Sequence, residues 1–307
     1  MSGLMLLDTP SLYFRAFFGV PESVKAPDGT PVNAVRGLID MIARLVQDRR
    51  PERLVCCMDA DWRPAFRVQA LPSYKAHRVA ETGGDQTPDA LEAQLPVIDA
   101  VLKAFGLAVV GAAGYEADDV IGTLAVRGAP QGPVDIVTGD RDLFQLVDER
   151  GPVLVLYTAR GIRNLQVMGE KEVADKYGIP GRGYADYATL RGDPSDGLPG
   201  VPGVGDKTAA ALVTRFGSLE GILAALEAGT TEGFPAGARR RMEAAHDYLA
   251  VAETVVRVVT DIGDPALRDL DDRLPATPRD PEALIALADE WNLTGPVNRL
   301  LNALAPS

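Results

Sequence analysis

Short apolar runs alternate with amphipathic stretches over the first half of this 307-residue chain. Four apolar runs predict buried strands of a mostly parallel sheet: residues 3–7, 53–58, 107–110 and 134–138. Between the first two runs, apolar residues recur at helical spacing from Val32 to Val46, which predicts a helix with one buried face. This alternation indicates βαβ units to about residue 145 and an α/β fold with a central sheet flanked by helices.

The pattern changes after residue 145. Residues 153–157 and 162–165 flank the turn sequence TARG and are interpreted as a hairpin. Further upstream, Thr87 as N-cap and Pro88 as the first helical residue predict a helix running toward Phe105, kinked at Pro96. Beyond about residue 170 the chain is expected to be almost wholly helical. We therefore expect an α/β domain over residues 1–170 and a helical region over residues 171–307.

Acidic residues gather where these strands end and in tight turns, and a globular protein gains nothing by collecting negative charge there. There are nine of them: Asp8, Asp59, Glu116, Asp118, Asp119, Asp140, Asp142, Asp193 and Asp196. Carboxylates brought together repel one another unless protons or cations neutralise them. Oxygen ligands without His or Cys favour Mg²⁺ or Mn²⁺ over zinc. Two such ions held by shared carboxylates are a common apparatus for phosphodiester hydrolysis, so the pattern predicts a metal-dependent nuclease.

Each acidic motif also has a plainer interpretation. Acids in GYEADD favour a helix N-terminus, and those in GDPSDG are frequent turn formers. Their combination is more informative, because ligands of open parallel sheets collect at the carboxyl ends of strands. Asp140 and Asp142, if extended, point to the same side, and Glu116 and Asp119 are three apart on the helix they open.

A second motif, LPGVPGVGDKTAAALV, predicts a helix-hairpin-helix element within residues 186–225. Gly203 and Gly205 provide flexible backbone, and Asp206 is expected to N-cap the next helix. Backbone N–H groups at such a helix start hold a phosphate without reading sequence, and Lys207 and Thr208 add a charge and a hydroxyl. The alternative is an ordinary helical hairpin with a glycine turn.

Composition narrows the class of protein. A net charge of −12 argues against indiscriminate coating of nucleic acid, yet residues 61–80 are locally basic and aromatic. Such a segment suits phosphate and base contacts, although a solvated helix face is the alternative. The adjacent Cys56 and Cys57 are poorly placed for a disulfide and are expected to be buried thiols. With no signal peptide or membrane-spanning run recognised, a cytoplasmic location is expected, associated with the nucleoid in a bacterium.

Six segments together resemble the 5′-nuclease family, which comprises flap endonucleases and the 5′→3′ exonuclease domain of bacterial DNA polymerase I, here in stand-alone form. They occur in the family's order over residues 4–225: LLDTPSLYFRAF, VCCMDADWRPAFR, LPSYKAHR, GYEADDVIGTLA, VTGDRDLFQLV and LRGDPSDGLPGVPGVGDKTA. Two departures are small. Thr9 replaces a Gly common after the first Asp, and Gly197 stands where Asn is frequent.

The resemblance implies two ion clusters and a PIN-like sheet with a helical arch over about residues 63–90. The first cluster would contain Asp8, Asp59, Glu116 and Asp118. The second would contain Asp140, Asp142, Asp193 and Asp196. Asp118 would join the two, with Asp119 beside or behind them. In the arch, Tyr74 would stack on a base, while Lys75 and Arg78 would meet the scissile phosphate. Arg15 would lie near the split of the DNA ends, and the resemblance also implies a K⁺ ion at the helix-hairpin-helix element.

The implied activity is removal of 5′ nucleotides or flaps from duplex DNA, including RNA primer remnants, in replication and repair. Expected partners are 5′ flaps, nicks, duplex ends and RNA–DNA hybrids, bound by a monomer. Two alternatives stay open at this point. A PIN-type ribonuclease shares the acidic chemistry but normally lacks the arch and hairpin, and a catalytically inactive DNA-binding factor would gain by losing these carboxylates.

Overall fold

A computed structural model describes residues 3–80, 84 and 86–305. Among these residues, six strands form one sheet in the order β3-β2-β1-β4-β5-β6, parallel except for β6, which runs antiparallel to β5. The strands are β1 (Leu4–Asp8), β2 (Arg53–Cys57), β3 (Ala108–Val110), β4 (Val134–Thr138), β5 (Val153–Tyr157) and β6 (Gln166–Met168). The four predicted parallel strands are confirmed to within a residue at each end.

Helices cover both faces of the sheet and make up the C-terminal half. Before β4 they are α1 (Thr9–Gly19), α2 (Asn33–Arg49), α3 (Ala65–Ala70), α4 (Asp89–Glu92), α5 (Leu95–Phe105) and α6 (Ala117–Gly128). After β6 they are α7 (Glu170–Tyr177), α8 (Tyr184–Arg191), α9 (Asp206–Phe216), α10 (Leu219–Glu227), α11 (Ala238–Ala244), α12 (His246–Val256), α13 (Pro265–Arg268), α14 (Pro281–Glu290) and α15 (Thr294–Leu304). Short 3₁₀ helices lie at Ala76–Arg78, Ala129–Gln131, Asp142–Leu146, Ile162–Asn164 and Gly181–Gly183. The predicted helical character beyond residue 170 is confirmed.

The sheet separates two hydrophobic cores, because successive strand side chains point to opposite faces. In β1, Leu4 and Leu6 enter the core that contains α6, α8 and α9, whereas Met5 and Leu7 enter the core that contains α2 and α5. Burial on both faces explains why the strands are continuous apolar runs. Cys56 and Cys57 are free and fully buried, one on each side of β2, as expected for structural thiols.

Two predicted elements differ from the structure. The strand expected over residues 162–165 is wrong, because that stretch contains a 3₁₀ turn and the strand that pairs with β5 is β6. The helix expected from Thr87 toward Phe105, kinked at Pro96, is instead two helices separated by residues 93–94. Pro88 occupies the N-cap of the short α4, and the chain then restarts as α5 with Pro96 in its first turn, where a missing N–H costs nothing.

Residues 63–90 contain α3, the 3₁₀ turn Ala76–Arg78 and α4 where the structure describes them. Residues 81–83 and 85 of the predicted arch lie outside the described residues. The C-terminal helices return to the first domain: α15 packs on α2 and α14 packs on α5. No single helix in the described part of the chain is long and apolar enough to span a membrane. α9 and α10 pass the length and composition test only as a pair bent by 78°.

Candidate active site

The carboxyl ends of β1, β2 and β4 meet at one edge of the sheet, as their parallel register requires. Asp8 is the last residue of β1, and its Oδ2 accepts a 2.5 Å hydrogen bond from the hydroxyl of Thr138 at the end of β4. Its Oδ1 accepts from the backbone N–H of Ser11, which caps α1. Asp59 follows β2 and accepts a 2.7 Å bond from the backbone N–H of Ala117, at the start of α6. The strand ends therefore position both carboxylates.

The motif GYEADD places three acids at the N-terminus of α6, but they do different things. Asp118 lines the same cavity as Asp8, Asp140 and Glu116, and the negative charge of these three groups raises its pKa further after burial has raised it. It therefore interacts with members of both predicted clusters. Asp119 is completely buried and both of its oxygens accept from the guanidinium of Arg67, at 2.7 and 2.8 Å. The prediction that Asp119 is a metal ligand is therefore corrected, because both of its oxygens already accept hydrogen bonds behind the site.

Six of the predicted carboxylates line one cavity of about 410 Å³: Asp8, Asp59, Glu116, Asp118, Asp140 and Asp193. Lys75, Arg78 and Trp62 line the same cavity, and the guanidinium of Arg78 lies over the indole ring at 5.5 Å. Acidic and basic groups that are far apart in sequence thus meet in a single concave site.

Tyr74 and Lys75 differ from the expected exposed arch. Tyr74 is only 3% exposed and its hydroxyl donates a 2.6 Å bond to Glu116 Oε2, so base stacking by its ring does not fit this structure. Lys75 has φ +47° and forms an ion pair with Glu116 Oε1. Its backbone N–H donates to the carbonyl of Asp196. The start of the predicted arch is therefore anchored on the acidic site.

The GDRD and GDPSDG loops complete the cluster. The same-side argument required Asp140 and Asp142 to be extended, and they are not. Arg141, between them, has helical backbone angles. Asp142 opens a 3₁₀ turn, and its backbone N–H donates a 2.9 Å hydrogen bond to the carboxylate of Asp140. Asp193 accepts from Ser195 and lies 3.4 Å from Arg191. Asp193 therefore stabilises the turn at Ser195 and pairs with Arg191, in addition to lining the acidic cavity.

Burial, reinforced by repulsion between carboxylates, raises the pKa of Asp8, Asp118, Asp142 and Asp196. Burial raises the pKa of Asp8 to about 7, against the opposing hydrogen bonds from Thr138 and Ser11. Burial also raises the pKa of Asp196 to about 6, an effect that the nearby Lys75 reduces. For Asp118 and Asp142, burial and then neighbouring aspartates place the pKa well above its ordinary value. The protein groups around these carboxylates therefore do not supply enough positive charge to offset their burial and mutual repulsion.

The donor set fits a hard divalent cation. It consists of carboxylate oxygens without His or Cys, and its repulsion is the kind that a bound cation relieves. Within the described ranges, no three such side chains already converge as a ready-made ligand set. Side-chain rotation, including displacement of Lys75 from Glu116, would therefore accompany ion binding.

The predicted hairpin residues lie apart from the acids, at the start of α9. Gly203 has φ +78°, a conformation that favours glycine, and Gly205 is the N-cap of α9. The prediction that Asp206 is the N-cap is corrected. Asp206 is the first helical residue, and its carboxylate accepts a 2.7 Å hydrogen bond from the Tyr187 hydroxyl. Lys207 is exposed and Thr208 is half-buried.

A groove of about 790 Å³ joins this hairpin to the acidic cavity, sharing Arg141 and Tyr157 with it. Its cationic lining comes from the loops after β4 and β5 and from α7 to α9. The cations are Arg141, Arg160, Lys176, Arg191 and Lys207, and Asp206 is the one acid among the described residues that line the groove. The ammonium of Lys176 lies 5.2 and 5.7 Å from the rings of Tyr177 and Tyr157. Arg15 lies near Gly139, which lines the acidic cavity. On a chain of net charge −12, this is a local basic surface.

Comparison with known proteins identifies the family. Residues 3–178 match the model of the 5′-3′ exonuclease N-terminal resolvase-like domain, and residues 179–280 match that of the 5′-3′ exonuclease C-terminal SAM fold. This chain belongs to the 5′-3′ exonuclease family. A 5′-3′ exonuclease of Streptomyces coelicolor is 59% identical over 98% of this chain and 99% of its own length.

Solved structures show the same fold at low sequence identity. The T5 5′-exonuclease with bound zinc is 17% identical and covers 98% of each chain with a TM-score of 0.66. The catalytic core of Rad2 in complex with a DNA substrate is 16% identical, with a TM-score of 0.60 over 99% of this chain and 92% of that one. At these identities, both comparisons show that this chain shares the fold of these two proteins.

Sequence reasoning about this 5′-3′ exonuclease family member missed several side chains that build the site. Arg67 lies in the basic and aromatic segment 61–80 that the sequence favours for phosphate and base contacts, yet it is only 2% exposed and pairs with Glu116 and Asp119. The hydroxyl of Thr138 holds Asp8, together with the backbone N–H of Ser11, and Arg141 lines both the cavity and the groove. One signal was available for Arg67: it is the only charged residue in the short helix AFRVQA.

Proposed function

We propose that this protein is a structure-specific 5′-nuclease with 5′→3′ exonuclease and flap endonuclease activity on DNA, dependent on two divalent ions. The observation that carries the proposal is a cavity lined by carboxylates whose negative charge the protein only partly neutralises. This cavity opens onto a groove lined by cations and tyrosines, and the groove leads to the helix-hairpin-helix element. The cavity suits cations, and the groove suits a phosphate backbone.

The proposed ion-holding residues are those of the two predicted clusters without Asp119: Asp8, Asp59, Glu116, Asp118, Asp140, Asp142, Asp193 and Asp196. Their oxygen donors favour Mg²⁺ or Mn²⁺. When bound, such ions lower the pKa of water and neutralise charge that develops on phosphate oxygens. The solved T5 5′-exonuclease has divalent ions bound, which supports a divalent cofactor for this fold.

Three side chains at the cavity wall act on the substrate in this proposal. Lys75 and Arg78 present positive charge to the scissile phosphate, which stabilises charge accumulating there in the transition state. Trp62, at the same wall, supplies a ring on which an unpaired base can stack. These roles need the 5′ strand to be unpaired, and flaps or frayed ends lower the cost of unpairing.

Duplex binding is assigned to the groove and the hairpin. Lys207, Thr208 and the backbone around Gly203 and Gly205 would hold one phosphate segment, and the cations of the groove would hold the duplex between that point and the ions. Arg15 would contact DNA near the split of the strands. The DNA substrate bound to the related Rad2 core supports DNA as the ligand of this fold.

Four finer points belong to the same proposal. RNA–DNA hybrids are substrates, and the protein acts as a monomer. The α/β domain over residues 1–170 supplies most of the ion-holding carboxylates, and the helical region over residues 171–307 supplies Asp193, Asp196 and the hairpin that grips duplex. A K⁺ ion at the hairpin is tested by comparing duplex affinity in KCl and NaCl at equal ionic strength. Tighter binding in KCl supports the ion.

One experiment tests the main proposal. A 5′-labelled flap and a nicked duplex are incubated with Mg²⁺, Mn²⁺ or EDTA, and the products are resolved on a gel. We expect ion-dependent cuts near the junction and stepwise 5′ products from the nick. Asp118→Asn should abolish cleavage while retaining junction binding. Binding without cleavage by the unmodified protein would instead favour an inactive DNA-binding factor, and preferential cutting of single-stranded RNA would favour a PIN-type ribonuclease.

A further inference from the structure

Arg67 is a buried arginine whose N–H groups are all used. Nε donates to the carbonyl of Val255 at 3.0 Å. Nη1 donates to Glu116 at 2.5 Å and to Asp119 at 2.8 Å, and Nη2 donates to Asp119 at 2.7 Å and to the carbonyl of Arg257 at 3.3 Å. An arginine has five N–H donors, so this set matches the guanidinium completely. The side chain has a single geometry available to it.

The carbonyls that hold Arg67 belong to the end of α12 and the segment that follows. Asp119 and Gln145 hold the same segment. The N–H of Val259 donates 2.8 Å to Asp119, and Gln145, in the 3₁₀ turn opened by Asp142, bonds both Val256 and Val258. The end of α12 and the residues that follow it are thus packed behind the acidic site.

Arg67 also decides which oxygen of Glu116 faces the cavity. Oε2 accepts from both Arg67 and the hydroxyl of Tyr74, while Oε1 pairs with Lys75 at the cavity wall. With Oε2 engaged, the carboxylate is fixed in rotation and offers one oxygen to a ligand. Fixing a carboxylate before the ion arrives reduces the ordering cost of binding.

We propose that Arg67 is a positioning residue for divalent-ion binding: anchored by the carbonyls of Val255 and Arg257, it orients Glu116 so that Oε1 points into the cavity. Arg67 touches neither substrate nor cavity, so it acts through Glu116. Asp119 serves as the counter-charge that holds the guanidinium in place. The inference rests on the proposed function, since it assigns Glu116 to an ion.

The test measures Mg²⁺ affinity without DNA. Trp62 lines the cavity and Trp291 is the only other tryptophan, so a Trp291→Phe background isolates a fluorescence signal from the site. Arg67→Met is expected to raise the half-saturating Mg²⁺ concentration by about 10- to 100-fold, as is typical for loss of an orienting partner. Arg67→Lys, which keeps one cationic donor, should give a smaller shift. Junction affinity in EDTA should stay within about twofold of the unsubstituted protein.

Arg53→Met is the matched control. Arg53 also forms a bidentate pair with a C-terminal residue, Asp272, but it lies at the opposite end of β2 from the site. The Arg53→Met variant should have a lower free energy of unfolding but an unchanged Mg²⁺ affinity. Unchanged affinity in folded Arg67 variants, or an equal shift in Arg53→Met, would overturn the inference. If Arg67→Met does not fold, Arg67→Lys decides by the same criterion. Failure of the unsubstituted protein to bind Mg²⁺ would refute the proposed function itself.

Discussion

The hydroxyl of Thr138 donates a 2.5 Å hydrogen bond to Asp8, which joins the ends of β4 and β1 beneath the acidic cavity. Asp8 is 5% exposed and no cation contacts it directly among the described residues, so this bond is one of two that stabilise its charged form. A neutral hydroxyl thus orients one of the proposed ion-holding carboxylates.

Thr138→Val should therefore weaken Mg²⁺ binding, because the valine has nearly the same shape but leaves only the backbone N–H of Ser11 to orient Asp8. We expect a rise of about 10-fold in half-saturating Mg²⁺, measured by single-turnover cleavage across an ion titration. Thr158→Val is a matched control. Thr158 is also buried, but its hydroxyl has no partner among the described residues, so its removal should leave ion affinity unchanged and raise stability by about 1 kcal/mol. Equal ion affinity in the two variants would contradict the assigned role of Thr138.

The contact between Gly197 and Ser73 should not tolerate a side chain. Gly197 has φ +73°, and a Cβ there would lie 2.1 Å from the carbonyl oxygen of Ser73. Gly229→Ala provides the control, since φ is +74° but nothing lies within 4 Å. The control should lose about 1–2 kcal/mol of unfolding free energy from backbone strain alone. Gly197→Ala should lose more and also cut more slowly, as urea unfolding and cleavage assays will measure. Equal losses would show that the two loops separate at little cost.

Lys75→Ala should separate ion binding from chemistry. The buried ammonium neutralises Glu116, and the carboxylates around it raise the pKa of Lys75 even though burial opposes its charge. Removing it should leave Mg²⁺ affinity equal or tighter, because a competitor for Glu116 is lost. The single-turnover rate at saturating Mg²⁺ should fall by about 100-fold or more, because positive charge near the phosphate is lost. Weaker Mg²⁺ binding with an unchanged rate would place Lys75 among the structural residues.

The basic groove should be visible in salt dependence. Arg160→Ala, Lys176→Ala and Lys207→Ala should each reduce the slope of log affinity against log salt by about one unit or less, as expected for one phosphate contact. Sequence preference should not change, because backbone contacts carry no base information. Lys103→Ala is the control: this exposed lysine pairs with Asp99 on α5, away from the groove. A slope change in the control comparable to that in the groove variants would indicate a diffuse electrostatic effect.

The sequence by itself determined the local features of the protein. Apolar runs located the parallel strands because strand and helix periods are properties of neighbouring residues, and parallel topology then brought the acids after β1, β2 and β4 to one edge. The resemblance to the 5′-nucleases followed from motifs in order along the chain. These predictions needed no knowledge of which distant side chains meet.

The tertiary structure decided the roles that depend on distant partners. Arg67 and Tyr74 stand in a segment that appears basic and aromatic in sequence, yet both are buried against Glu116, more than 40 residues later in the chain. Asp119 shares a motif with Asp118, but successive helix residues point in directions about 100° apart, so one faces the cavity and the other faces Arg67. Side-chain direction and burial arise from packing between elements, which periodicity along one element does not contain.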